Sequence, residues 1–153
     1  MTNKIEFKTT VKVYESLNQL SKADQILLKK AEEASALSYS PYSKFPVGTA
    51  FQLDDGTYIL GSNQEDAAFP AGICAERVGL SNLAMQKPGT PIYTIAIVVP
   101  SDAPAAPCGI CRQSLFQQEF RQNQNIRLLL KGKSEEIYLL PSVKSLLPLP
   151  FTF

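Results

Sequence analysis

The sequence predicts a single layered α/β domain, on three observations. Helical and strand patterns interleave along the chain. Pro91 to Val99 (PIYTIAIVV) is nearly continuous in β-branched and apolar residues, as in a central strand covered on both faces. No repeat, low-complexity tract or linker divides the sequence. With 153 residues, 44% apolar and 19% charged, the chain can bury one core without staples.

A lead-in over residues 1–20 precedes the domain, which is read as 21–153. Ser21 followed by Asp24 has the form of a helix N-cap, and Leu27, Ala31 and Ala34 keep helical spacing, which predicts a first helix from Lys22 to Leu37. SPYSKFPVG, residues 40–48, breaks it. Val47 to Leu53 and Thr57 to Leu60 flank Asp54-Asp55-Gly56 as a hairpin. Helices are predicted over Ala75 to Met85 and Gly109 to Phe120, before and after the central strand. Ile126 to Leu130 and Glu136 to Leu140 flank Lys131-Gly132-Lys133-Ser134 as a second hairpin. In such a domain ligands gather where helix N-termini meet strand ends.

Fifteen Lys and Arg against fourteen Asp and Glu leave a net charge of +1, and no run of either sign stands out. That disfavours a nucleic-acid partner, whose binding draws on clustered cations. No apolar stretch reaches the roughly 20 residues that cross a bilayer, and MTNKIEFKTT lacks the apolar centre of a secretory signal, so no membrane partner and a cytoplasmic location are expected. Three Cys in a reducing compartment point to metal or thiol chemistry rather than disulfides. The absence of His removes Ser/His and Cys/His nucleophile pairs and every His-containing metal site.

The informative residues are Cys74-Ala75-Glu76 and Pro107-Cys108-Gly109-Ile110-Cys111, each where a predicted helix begins. Unpaired N–H groups and the positive dipole end lower a thiol's pKa there and favour the thiolate that binds metal. Structural zinc takes four Cys or His ligands, whereas catalytic zinc takes three protein ligands and keeps a position for water. This chain offers three, so the open site is the natural result, with Arg77 and Arg112 placed to offset the thiolate charge. Glu76, two residues from a ligand candidate, can reach a metal-bound water and carry its proton. Three Cys ligands with a non-ligand Glu as acid/base is the established layout of zinc deaminases.

At these residues the chain resembles the cytidine deaminase family, specifically its small, three-cysteine, tetrameric branch. The likeness runs through Pro41-Tyr42-Ser43-Lys44-Phe45-Pro46-Val47-Gly48, Asn63-Gln64-Glu65-Asp66-Ala67-Ala68, Ile73-Cys74-Ala75-Glu76-Arg77, Pro107-Cys108-Gly109-Ile110-Cys111-Arg112-Gln113 and Leu146-Leu147-Pro148-Leu149-Pro150-Phe151. It implies a three-layer α/β/α fold with a mixed five-stranded sheet whose last two strands are antiparallel. It also implies hydrolytic deamination of cytidine and 2′-deoxycytidine to the uridines with release of ammonia, as in pyrimidine salvage.

Residue by residue, the resemblance implies one zinc per chain on Cys74, Cys108 and Cys111, with attack at C4 of the base. Glu76 moves protons between zinc water, N3 and the departing 4-amino group. Asn63 and Glu65 match a pair that holds the ribose 3′-hydroxyl. The Ala75 backbone N–H matches a contact to the 2-oxo group, Phe45 an aromatic against the base, and Phe151 a C-terminal phenylalanine that enters a neighbouring subunit's site. Arg77 resembles an arginine that hydrogen-bonds ligand sulfurs, and Gln113 a polar residue near them. The expected partners are therefore a nucleoside and three further copies of the chain. Asp66 stands where Asn is usual and Phe69 where Tyr is usual, which leaves contacts at the sugar's 5′ end and the intersubunit rim least defined.

Each of these residues has an ordinary alternative: buried apolar thiols, a surface carboxylate at a helix start, core aromatics. A blasticidin-type aminonucleoside deaminase shares the C-x-E and P-C-x-x-C skeleton. A CxxC redox module would need no metal, and a noncatalytic zinc-binding module would not consume cytidine. The C-R-Q run and the LLPxxF ending favour cytidine.

Overall fold

The computed structural model describes residues 2–152, so Met1 and Phe153, the last residue of the apolar C-terminal run, lie outside the described residues. One six-stranded sheet forms the middle layer. In chain order its strands are β1 (Lys12–Tyr14), β2 (Gly48–Leu53), β3 (Tyr58–Ser62), β4 (Ile92–Val98), β5 (Arg127–Lys131) and β6 (Ile137–Leu140), arranged β1-β6-β5-β4-β2-β3. Only β4 and β5 run parallel; β5 and β6, the last two, are antiparallel, as expected. The helices are α1 (Lys22–Ser35), α2 (Ala75–Gln86) and α3 (Gly109–Gln122).

The expectation of five strands is corrected to six. The extra strand, Lys12–Tyr14 in the segment read as a lead-in, pairs with β6 at the sheet edge through Lys12↔Leu139 and Tyr14↔Ile137. Three residues are too short for a period-2 signal. The other elements fall within about two residues of their expected bounds, the usual uncertainty at helix and strand ends. Ser21 caps α1 as read, its hydroxyl accepting from the Asp24 N–H at 3.1 Å.

Strand alternation decides which helix goes on which face. Ala50, Ala96 and Leu129 point to one side and are covered by Leu27, Leu28 and Ala31 of α1. Phe51, Ile95, Ile97, Leu128 and Leu130 point to the other, where Leu83 of α2 and Leu115 of α3 cover them. The alanine side lets α1 lie close: a Cβ at Gly48 would sit 2.0 Å from the Ala31 carbonyl oxygen. Gly61 does the same for α2, since a Cβ there would lie 2.3 Å from the Ala75 carbonyl oxygen. That contact seats the first residue of α2 on β3.

The far end of α3 is fixed by a buried carboxylate. Glu119 accepts the Ile126 and Val143 N–H groups at 2.8 and 2.9 Å and the Ser142 hydroxyl at 2.6 Å, joining α3 to the start of β5 and the turn after β6. On the other face Arg127 grips both oxygens of the buried Asp24, tying β5 to α1. Glu119→Ala leaves buried N–H groups without an acceptor, at a cost on the order of 2–4 kcal/mol. For a chain of this size, thermal denaturation should show a midpoint lower by roughly 5–15 °C; an unchanged midpoint would remove the anchoring role.

Candidate active site

The N-termini of α2 and α3 meet beside the C-terminal end of β4. Cys74 is the N-cap of α2 and Cys108 the N-cap of α3, both with extended backbone and neither with a side-chain cap bond. Cys111 stands one turn into α3, fully buried, while Cys108 is exposed. The three Sγ atoms lie within 4.8 Å of one another, with Cys74 and Cys108 3.9 Å apart, and they are the only such ligand group among the described residues. All three thiols are free.

The donor set fits zinc. Tetrahedral Zn–S bonds of about 2.3 Å put sulfurs about 3.8 Å apart, close to the spacing here. The electrostatics agree: the Cys74 thiol is held down to about 6, first by a hydrogen bond from Cys111, while burial and Glu76 oppose this and Cys108 and Arg77 assist. Cys111 is pushed up because it donates to Cys74, is buried and faces Glu76. Cys74 thus favours its thiolate while Cys111 keeps its proton, and a cation bound between them would favour the ionised form of both.

Glu76, 5% exposed in the first turn of α2, is a carboxyl whose pKa burial raises, with its own N–H and Cys111 partly opposing. It opens onto a cavity of about 520 Å³ whose lining includes Phe45, Asn63, Ala75, Ile97, Val99 and Cys108. The Ala75 N–H, at the first position of α2, has no intrahelical acceptor by its place in the helix. One wall is thus polar and reactive, and the other is apolar.

Asn63 holds the rim together. Its Oδ1 accepts the Val47 N–H at 2.8 Å and the Ser38 hydroxyl at 2.6 Å, and its Nδ2 donates to the Phe45 carbonyl at 3.0 Å. Phe45 is thereby fixed over the cavity. Glu65 is brought near but faces an adjoining cleft of about 430 Å³ with Tyr42, Asp66 and Phe69; Ser43 lines both spaces. It accepts the Tyr42 and Ser43 N–H groups, and hydrogen bonding led by the Ser43 hydroxyl holds its carboxyl below the usual range. Asp66 accepts the Ala68 N–H, and Phe69 stands edge-on to Tyr42, so the two departures from the family pattern sit in this cleft.

Arg77 is half-buried beside Cys74 and favours its thiolate. Arg112 spends its guanidinium on the Pro107 and Leu146 carbonyls, and Gln113 spends its amide on Phe151. Phe151 lies on the surface, 64% exposed, outside the lining of its own chain's cavity. Ile97, Val99 and Ser38 were not singled out in the sequence, because strand residues read as core and a lone Ser carries no signal.

The family model described as "Cytidine and deoxycytidylate deaminase zinc-binding region" matches residues 21–124. The chain is 36% identical over 128 residues to a cytidine deaminase of Halalkalibacterium halodurans, an alignment covering 84% of this chain and 93% of the relative. The crystal structure of cytidine deaminase from Burkholderia pseudomallei superposes with a TM-score of 0.74 at 32% identity, covering 82% of this chain and 97% of that one. That of the Mycobacterium tuberculosis cytidine deaminase gives 0.67 at 30% identity, covering 84% and 96%.

Removing the side-chain bonds of Asn63 should loosen the rim without touching the thiols. In Asn63→Ala, hydrogen exchange at the Val47 amide should quicken at least several-fold, as loss of an acceptor worth about 1 kcal/mol requires. Unchanged protection there would show that the rim is held by other means.

Proposed function

The chain belongs to the cytidine and deoxycytidylate deaminase family, and we propose that it hydrolyses cytidine and 2′-deoxycytidine to uridine and 2′-deoxyuridine with release of ammonia. The observation that carries this reading is the buried Glu76 lining, with Cys74 and Cys108, one cavity large enough for a nucleoside, while the buried Cys111 completes the cluster of three thiols. The relatives above support the substrate class.

Cys74, Cys108 and Cys111 would hold the zinc, which when bound supplies Lewis acidity to activate a water. The pyrimidine lies between Phe45 and the apolar wall of Val47, Ile97 and Val99. The Ala75 N–H, at the positive end of α2, holds the 2-oxo group. As a water adds to C4, Glu76 takes one of its protons and passes it to N3, then takes the second from the added hydroxyl and passes it to the 4-amino nitrogen, so that the C4–N bond breaks and ammonia departs while the C4 oxygen remains as the carbonyl of the uridine. Its burial suits this work, because a carboxyl whose pKa is raised by desolvation holds a proton more readily between one transfer and the next. Asn63 and Glu65 hold the 3′-hydroxyl at the rim between the cavity and the adjoining cleft.

Phe151 completes the site of a neighbouring subunit in a homotetramer. The exposure of Leu149 and Phe151, 77% and 64%, supports this: an apolar tail of that kind is suited to a protein surface rather than water. The role we assign to this activity is pyrimidine salvage in the cytoplasm. No helix among the described residues is long and apolar enough to cross a membrane.

Two measurements test the reading. Glu76→Gln keeps shape but cannot shuttle a proton, so turnover of cytidine should fall on the order of 10²-fold to 10⁴-fold while zinc, about one per chain, is retained; Cys111→Ala should lose the metal. Parallel loss of zinc in Glu76→Gln, or activity near the parent's, would contradict the assignment. Comparison of kcat/KM should rank cytidine and 2′-deoxycytidine far above cytosine, since polar groups built to grip a hydroxyl are left unpaired without it. Cytosine processed as well as cytidine would remove Asn63 and Glu65 from sugar binding.

A further inference from the structure

Gln113 and Arg112 lie in the first turns of α3, directly after Cys111, and both face the C-terminal tail. The Gln113 Nε2 donates to the Phe151 carbonyl at 2.9 Å, and its Oε1 accepts the Phe151 N–H at 3.1 Å. An amide that meets both backbone groups of one residue fixes that residue's orientation as a strand partner does. One residue back, Arg112 donates from Nε to the Pro107 carbonyl at 2.7 Å and from its NH1 group to the Leu146 carbonyl at 3.2 Å. The tail is therefore tied at Leu146 and Phe151, and the first tie also holds the loop that carries Cys108.

We propose that Gln113 is a positioning residue for Phe151: it reads the backbone of the tail and so sets where the Phe151 ring projects from one subunit toward the site of the next. This rests on the placement of Phe151 in a neighbour's site proposed above. The resemblance implies a polar residue near the ligand sulfurs at Gln113, and a role on the sulfurs would require different behaviour from a role on the tail. Both amide atoms are engaged by Phe151 here, so its loss should disturb the tail first. Glu at this position keeps the acceptor for the Phe151 N–H and loses the donor, whereas Leu keeps the bulk and loses both. The position is only half-buried, so neither change strips a core residue.

The test uses the full-length, zinc-loaded protein with Gln113→Leu, Gln113→Glu, Phe151→Ala and the Gln113→Leu/Phe151→Ala double variant. Amide hydrogen exchange at Phe151 should quicken on the order of ten-fold in Gln113→Leu and less in Gln113→Glu. KM for cytidine should rise in Gln113→Leu, zinc content should stay at the parent's level, and the double variant should be no worse than Phe151→Ala alone. Unchanged exchange at Phe151, zinc loss in Gln113→Leu, or additive effects in the double variant would overturn the positioning role. Failure of the underlying reading looks different: Phe151→Ala itself would leave KM unchanged while exchange at Phe151 still responded to Gln113→Leu.

Discussion

The structure depends on one constraint, that two helices must begin within a few ångströms of each other. Cys74 and Cys108 are the N-caps of α2 and α3, and Cys111 follows one turn into the second helix, so three sulfurs fall within 4.8 Å only if both helix starts are held in place. Negative charge suits such a place, because two sets of unpaired N–H groups and two positive dipole ends converge on it. The same arrangement makes the sulfurs repel one another once ionised, which is the reason a cation belongs there.

Much of the remaining architecture serves to hold these starts. Gly61 admits the first carbonyl of α2 onto β3, and the Thr49 hydroxyl donates toward that same carbonyl at 3.3 Å. Glu119 fixes α3 about two turns beyond Cys111, and Arg112 ties its beginning to the ligand loop and the tail. The central strand ends at the cavity, so Ile97 and Val99 are both core and wall. Catalytic and structural demands meet in the same residues, and a change in either is felt in the other.

The sequence was most legible where local chemistry decides the outcome. The Ser21 cap, the three helices and both hairpins follow from spacing and turn residues, and the thiol cluster from Cys at two helix starts in a chain without His. It was least legible where distant segments meet. β1 exists because β6 offers it an edge, which nothing in Lys12–Tyr14 announces. Glu119 was not singled out in the sequence, because its role exists only once the N–H groups of Ile126 and Val143 are brought to it. Gln113 is a further case: nothing in its motif announces that its amide meets a tail 38 residues away.

The central claim is that the three thiols form an open metal site rather than a closed one. X-ray absorption at the zinc edge of the purified protein measures this directly. Three sulfur scatterers at about 2.3 Å with one oxygen or nitrogen at about 2.0 Å are the result expected for a three-thiolate site with an exchangeable position. Four sulfur scatterers, or a protein that deaminates cytidine with no zinc to absorb, would contradict it.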